Sequence, residues 1–121
     1  MKKVILVADD SATIRKFVSF SLTAKGYEII SVADGMEALE KLPQKSIDLV
    51  ITDLNMPNVD GFELIKSMRD NEEYSEIPII ILSSLSSQEE VNKGLSIGAN
   101  SYLIKPFDPS RILYEVSKYL N

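Results

Sequence analysis

The stretch Ile47-Asp48-Leu49-Val50-Ile51-Thr52-Asp53-Leu54-Asn55-Met56-Pro57 decides the fold. Leu49, Val50 and Ile51 form an unbroken apolar run without polar alternation, the pattern of a strand covered on both faces. The run stops at Asp53, and Asn55 and Pro57 beyond it are turn residues. A carboxylate is thus set at the C-terminal end of a central buried strand. In open α/β sheets that edge is where ligands bind.

On the N-terminal side, Val4 to Ala8 (VILVA) is another continuous apolar run, ending on Asp9 and Asp10. Ser11 stands where a helix N-cap is wanted, with acids beside the positive end of the helix dipole. Ile14, Phe17, Val18 and Leu22 follow at helical spacing, and Gly26 reads as the C′ residue that closes the helix. Glu28 to Ala33 is a second strand; Ser31 interrupts it, which fits an edge position. Asp34-Gly35 is turn chemistry, and Met36 to Leu42 is a short helix stopped by Pro43.

On the C-terminal side, Asp60-Gly61 opens a helix with Phe62, Ile65 and Met68 at its apolar spacing. Asn71 to Glu76 is a polar loop. Ile79 to Leu82 (IIIL) is the purest buried strand and ends on Ser83 and Ser84. The helix Gln88 to Ile97 is weakly apolar, so it is expected to be the least firmly docked, since an apolar face supplies most helix stability. Gly98 ends it. Ser101 to Ile104, carrying Tyr102, is the last strand and ends on Lys105-Pro106. Asp108-Pro109 reads as an N-cap with proline at the first helical position, and Ile112, Leu113, Val116 and Leu120 stripe the final helix.

Five strands alternating with five helices predict an α/β domain, a parallel sheet covered on both faces by right-handed crossovers. No repeat, linker or low-complexity segment divides residues 1–121, so one domain is expected. Of the 121 residues, 45% are apolar and 26% charged, ordinary globular usage. The net charge of −5 disfavours nucleic acid as a partner. Cysteine is absent, which removes disulfides and zinc thiolates. Histidine is absent too, removing the commonest general base and transition-metal ligand. The few residues before the first strand make a signal peptide unexpected, and no apolar run approaches the ~20 residues that span a bilayer. A cytoplasmic monomer away from the membrane is the expectation.

The strand ends carry the chemistry. Asp9 and Asp10 follow the first strand, Asp53 the third, Ser83 the fourth and Lys105 the fifth. In a parallel sheet these ends share one edge. Crowded carboxylates repel, and some stay protonated unless a cation joins them. Mg²⁺, or Mn²⁺ in its place, binds a few carboxylates, keeps waters and accepts phosphate oxygens. A lysine and a hydroxyl nearby can meet the other oxygens of a phosphoryl group, and a carboxylate can itself accept that group. The set reads as a phosphoryl-transfer site run by positioning and charge neutralisation. Taken singly, each residue has a plainer use: a solvated or capping acid, a turn asparagine, an outer-strand tyrosine. The joint pattern on successive strand ends favours the functional reading.

VILVADDSATIRK, ITDLNMPNVDGFEL, IIILSS and YLIKPF together resemble the receiver domain of two-component response regulators, particularly the single-domain chemotaxis type. The resemblance spans Met1 to Asn121. It implies a flavodoxin-like (βα)5 fold with strand order 2-1-3-4-5. It also implies that Asp53 is the phosphoacceptor, served by the phosphohistidine of a histidine kinase. Asp10, the Asp53 side chain and the Asn55 carbonyl would coordinate Mg²⁺, with Asp9 supporting through water. Ser83 would be the switch hydroxyl, Lys105 the ion-pair partner of the phosphoryl group, Lys105-Pro106 a cis peptide, and Tyr102 the aromatic switch residue. Leu85, two beyond Ser83, would shield the phosphoryl group from water.

The expected function is a stand-alone switch that changes protein binding through its fourth helix, fifth strand and fifth helix, with a flagellar motor switch as one candidate target. It would be no enzyme beyond its own phosphoryl transfer and slow dephosphorylation. A phosphorelay shuttle or a receiver in kinase feedback are alternatives. Asp53-Leu54-Asn55 also resembles the nucleophile loop of haloacid-dehalogenase-type phosphatases, but the second acid of that loop is missing.

Overall fold

The computed structural model describes residues 2–120. The elements are β1 (Val4–Ala8), α1 (Ala12–Thr23), β2 (Glu28–Val32), α2 (Gly35–Lys41), β3 (Leu49–Thr52), α3 (Gly61–Arg69), β4 (Ile79–Ser83), α4 (Gln88–Ser96), β5 (Ser101–Ile104) and α5 (Pro109–Leu120). Pro43 sits in a short 3₁₀ turn, Leu42–Gln44, directly after α2. The five strands form one parallel sheet in the order β2-β1-β3-β4-β5, the flavodoxin-like doubly wound arrangement. β3 lies in the middle and is wholly buried. β2, with its polar Ser31, is an edge strand.

Each inner strand supplies two cores because its side chains alternate. Leu6, Val50, Ile79 and Ile81 enter one cluster, shared with Ala38 of α2 and Leu64, Ile65 and Met68 of α3. Ile5, Val7, Leu49, Ile51, Ile80 and Leu82 enter the other, packed on Val18 and Leu22 of α1 and Ile112 and Val116 of α5. Each such fully buried side chain stabilises the fold by roughly 1.5–3 kcal/mol. The unbroken apolar runs of β1, β3 and β4 follow from this two-sided cover.

All five helices start at a side-chain cap. The oxygens of Ser11, Asp34, Asp60 and Ser87 accept the backbone N–H three residues on, and Asp108 accepts that of Arg111. Asp60 and Glu63 form a full capping box. Gly26 and Gly98, both at positive φ, close α1 and α4. α4 buries only Gly94, in keeping with its weak apolar pattern. Its Lys93 ammonium lies 4.3 Å from the centre of the Phe62 ring on α3, a cation–π contact that helps hold the helix.

Candidate functional site

Parallel register brings the strand ends together. Ala8 pairs with Thr52, and the Asp53 N–H donates to the Ala8 carbonyl (2.9 Å). Asp9 and Asp53 therefore leave neighbouring strands side by side. Ser83 pairs with Ile104, and the Lys105 N–H donates to the Ser83 carbonyl (2.8 Å). One carboxylate oxygen from each of Asp9, Asp10 and Asp53 lies within 4.8 Å of the others. Asp9 and Asp53 are buried; Asp10 is exposed.

The Lys105 ammonium is the cation that faces this cluster. It lies 3.0 Å from Asp9 Oδ2 and 3.6 Å from Asp53 Oδ2. The other Asp9 oxygen accepts the Ser11 N–H (2.9 Å), so both oxygens of Asp9 are engaged. The Asp9 carbonyl accepts from the Arg15 guanidinium. Asp53 Oδ1 accepts the Leu54 N–H (2.7 Å). Burial pushes the Asp53 carboxyl above its usual value, and repulsion from Asp9 adds to this; Lys105 and the Leu54 N–H only partly offset them.

Among the described residues only Lys105 forms ion pairs with these three carboxylates, which leaves about two negative charges without an ion-pair partner. A buried carboxyl whose charged form is penalised by burial and by a neighbouring acid is what a hard divalent cation would relieve. The donor set is all oxygen, which suits Mg²⁺ rather than a soft metal. The residues present fit that group.

The other expected residues sit around this centre. Ser83 is buried, and its Oγ accepts the Leu85 N–H (3.1 Å). The Tyr102 hydroxyl donates to the Leu85 carbonyl (2.8 Å), with the ring half-buried. Ser83 and Tyr102 thus hold the two backbone groups of one residue. The Lys105–Pro106 bond is cis, as the resemblance implied. Asn55 is exposed on the loop after Asp53.

Gly61 reads in the sequence only as a helix opener, yet it packs against the backbone of Asp53 and Leu54. Its N–H donates to the Leu54 carbonyl (2.9 Å). A Cβ there would fall well inside contact distance of the Asp53 carbonyl oxygen and 2.8 Å from Leu54 Cα. Only a residue without a side chain lets α3 start this close to Asp53.

Such a cluster of strand-end acids, facing a lysine just past the last strand of this fold, defines a receiver. Residues 5–117 match the family model for the response regulator receiver domain, and the chain belongs to that family. Over 107 residues it is 39% identical to the chemotaxis protein CheY1 of Helicobacter pylori, covering 87% of this chain and 86% of that one. It is 40% identical over 111 residues to the probable transcriptional regulator ycf27 of Porphyridium aerugineum, covering 92% of this chain but 45% of that protein. The chain therefore spans less than half the length of that relative. The solved structure of the chemotaxis response regulator CheY4 of Vibrio cholerae superposes with a TM-score of 0.93 at 38% identity, over 99% of this chain and 100% of that one. Receiver domains generally bind Mg²⁺, and the acid cluster is of the kind they use.

Proposed function

We propose that this chain is a phosphorylation-dependent switch in which Asp53 accepts a phosphoryl group from the phosphohistidine of a histidine kinase. A carboxylate oxygen of Asp53 attacks phosphorus, the N–P bond breaks, and the leaving imidazole takes up a proton from water. Asp10, Asp53 and the Asn55 carbonyl would hold Mg²⁺, and Asp9 would support it through water. When bound, the ion neutralises charge on the phosphoryl oxygens. Lys105 meets another of those oxygens, and Ser83 can turn its hydroxyl from the Leu85 N–H to a third. The observation that carries this reading is the buried, charge-penalised Asp53 beside a single lysine.

The donor has to reach Asp53 over the rim of the site. On the α1 side that rim is apolar: Ile14, Phe17, Pro106 and Phe107 line a groove next to Lys105. We read it as the footing for an apolar face of the donor. Output follows from Ser83 and Tyr102. Phosphorylation adds about −1.5 to −2 charge. Drawing Ser83 inward frees the Leu85 N–H and alters the support of Tyr102, which reshapes the α4–β5–α5 face by shifting an existing equilibrium.

The chemotaxis relatives support a role in motility signalling. We propose that the chain acts there as a cytoplasmic monomer, with a flagellar motor switch protein as target. The ycf27 relative supports a second reading, a receiver that serves transcription control through a further domain. Binding of the beryllofluoride-loaded protein to purified motor switch protein separates the two. Shielding by Leu85 gives slow decay, so Leu85→Glu is expected to lose its phosphoryl group faster than the parent.

The test is intact mass after incubation with acetyl phosphate. One added phosphoryl group, dependent on Mg²⁺ and absent from Asp53→Asn, supports the switch. Failure to add it, together with failure to bind beryllofluoride, overturns the reading in favour of a constitutive binding module.

A further inference from the structure

The loop from Leu54 to Asp60 carries the Asn55 carbonyl, the proposed cation ligand that no side chain defines. A backbone ligand sits where its loop sits, so whatever fixes the loop tunes the site. Two ties run from this loop to the start of α2. The Asn58 Nδ2 donates to Asp34 Oδ2 (2.8 Å), across 24 residues of sequence. The Gly35 N–H donates to the Val59 carbonyl (3.0 Å).

Asn58 and Asp34 are each suited to this bond. Asn58 has φ 65°, the only non-glycine residue at positive φ among the described residues. Asparagine tolerates that conformation better than other side chains and brings an amide donor that glycine would lack. Asp34 is 9% exposed. Its Oδ1 accepts the Glu37 N–H (2.9 Å) as the cap of α2, leaving Oδ2 for the loop. Bonds from the Glu37 N–H and then the Asn58 amide hold its carboxyl below the usual range. One carboxylate thus serves a helix with one oxygen and the Asp53 loop with the other.

We propose that Asp34 and Asn58 are positioning residues for the cation, holding the loop that bears the Asn55 carbonyl against the first turn of α2. This rests on the reading of Asp9, Asp10 and Asp53 as a Mg²⁺ site. It makes α2 sensitive to occupancy of the site: Mg²⁺ steadies the loop, and the loop steadies Asp34. Neither residue touches the ion or the phosphoryl group.

The test is Mg²⁺ titration by calorimetry, at a temperature where circular dichroism shows every variant folded. Asn58→Gly keeps the backbone conformation and deletes the amide. Asp34→Ser keeps a cap for α2 and is too short to reach Asn58. Each is expected to weaken Mg²⁺ binding about five-fold, part of what a bond to a charged group contributes. The double variant is expected to weaken it by the same factor, because both remove one bond. Phosphorylation by acetyl phosphate should need more Mg²⁺ but reach the parent's rate at saturation. Parent-like Mg²⁺ affinity in both single variants overturns the proposal, as does a double variant that loses the product of the two factors. If the parent itself binds no Mg²⁺, the reading of the acid site falls, a result distinct from a parent that binds and variants that match it.

Discussion

Asp53 and Glu115 are both buried carboxylates, one past the C-terminal edge of the sheet and one on α5 beside the start of β5, and they are treated in opposite ways. Glu115 is 4% exposed and Asp53 7%. Glu115 Oε1 accepts the Ser101 hydroxyl (2.8 Å) and lies 3.0 Å from the Lys118 ammonium, while Arg111 Nε lies 3.8 Å from Oε2. Burial pushes its carboxyl up, but the bonds from Lys118 and Ser101 and the charges of Lys118 and Arg111 together outweigh this and bring it below its usual value. Asp53 shares one lysine with Asp9, which holds that lysine closer, and its carboxyl is raised. Strand β5 supplies both: Ser101 at its start serves Glu115, and Lys105 just past its end serves Asp53. The satisfied acid fastens α5 to the sheet. The unsatisfied one leaves charge that the proposed cation and phosphoryl group would meet.

The difference is electrostatic: both carboxylates are buried. The Asp53 edge has no slack, because Gly61 lies against the Asp53 backbone. Gly61→Ala is expected to cost about 3 kcal/mol, the upper end for overpacking a closed site. Urea unfolding measures it. A loss below about 1 kcal/mol would mean that the loop can retreat, and the two edges would then differ in packing as well as in charge.

Charge removal should act with opposite signs at the two edges. Glu115→Ala takes the acceptor from the flanking cations and leaves Ser101 to the Tyr119 hydroxyl (2.6 Å), and is expected to destabilise by about 2 kcal/mol. Asp53→Asn relieves repulsion and the burial of a charge, and is expected to stabilise by about 1 kcal/mol. Without divalent ions the two acids also respond oppositely to pH. Glu115 titrates lower in the folded chain than in the unfolded one, so its contribution is present at neutral pH. That contribution is lost as pH falls below the ordinary 4.5 and through the lowered folded value. Asp53 titrates higher when folded, so its cost is absent in acid. That cost develops as pH rises above 3.8 and through the raised folded value. Urea midpoints of the parent and both variants across this range should diverge in opposite directions with rising pH. Two variants moving the same way would sink the contrast.

Mg²⁺ should remove the penalty at one edge alone. At ten times its dissociation constant it is expected to stabilise the parent by about 1.4 kcal/mol. Glu115→Ala should keep that increment in full, and Asp53→Asn should lose most of it. Equal gains in all three proteins would place the ion elsewhere.

Much of this was legible because strands declare themselves by apolar runs and their ends by the residues that stop them. Asp9, Asp10, Asp53, Ser83 and Lys105 each follow such a run, and parallel order does the rest. The edge position of β2 showed in Ser31, and the loose docking of α4 in its sparse apolar pattern. What stayed hidden depends on distance in space. Nothing near Asp34 points to Asn58, 24 residues away. The closeness of Gly61 to Asp53 appears only when α3 folds back over its own loop. Glu115 gave a partial signal, an acid inside the apolar stripe of α5 with Arg111 four residues before it and Lys118 three after, but Ser101 on another element completes the site.

The smallest effect is expected on the strand that serves both edges. Tyr102 follows Ser101 on β5, and its hydroxyl reaches the Leu85 carbonyl, while the Leu85 N–H is held by Ser83. Tyr102→Phe deletes one bond at a half-buried position and keeps the ring, so stability should fall by about 1 kcal/mol or less. The acids, Lys105 and Ser83 are untouched, so phosphorylation by acetyl phosphate should run at the parent rate. The loss should appear in the output, as a smaller gap between phosphorylated and unphosphorylated protein in affinity for a phospho-dependent partner. If the gap is unchanged, the hydroxyl only braces the loop after β4, and the message from Asp53 must leave by the ring of Tyr102 or by another element.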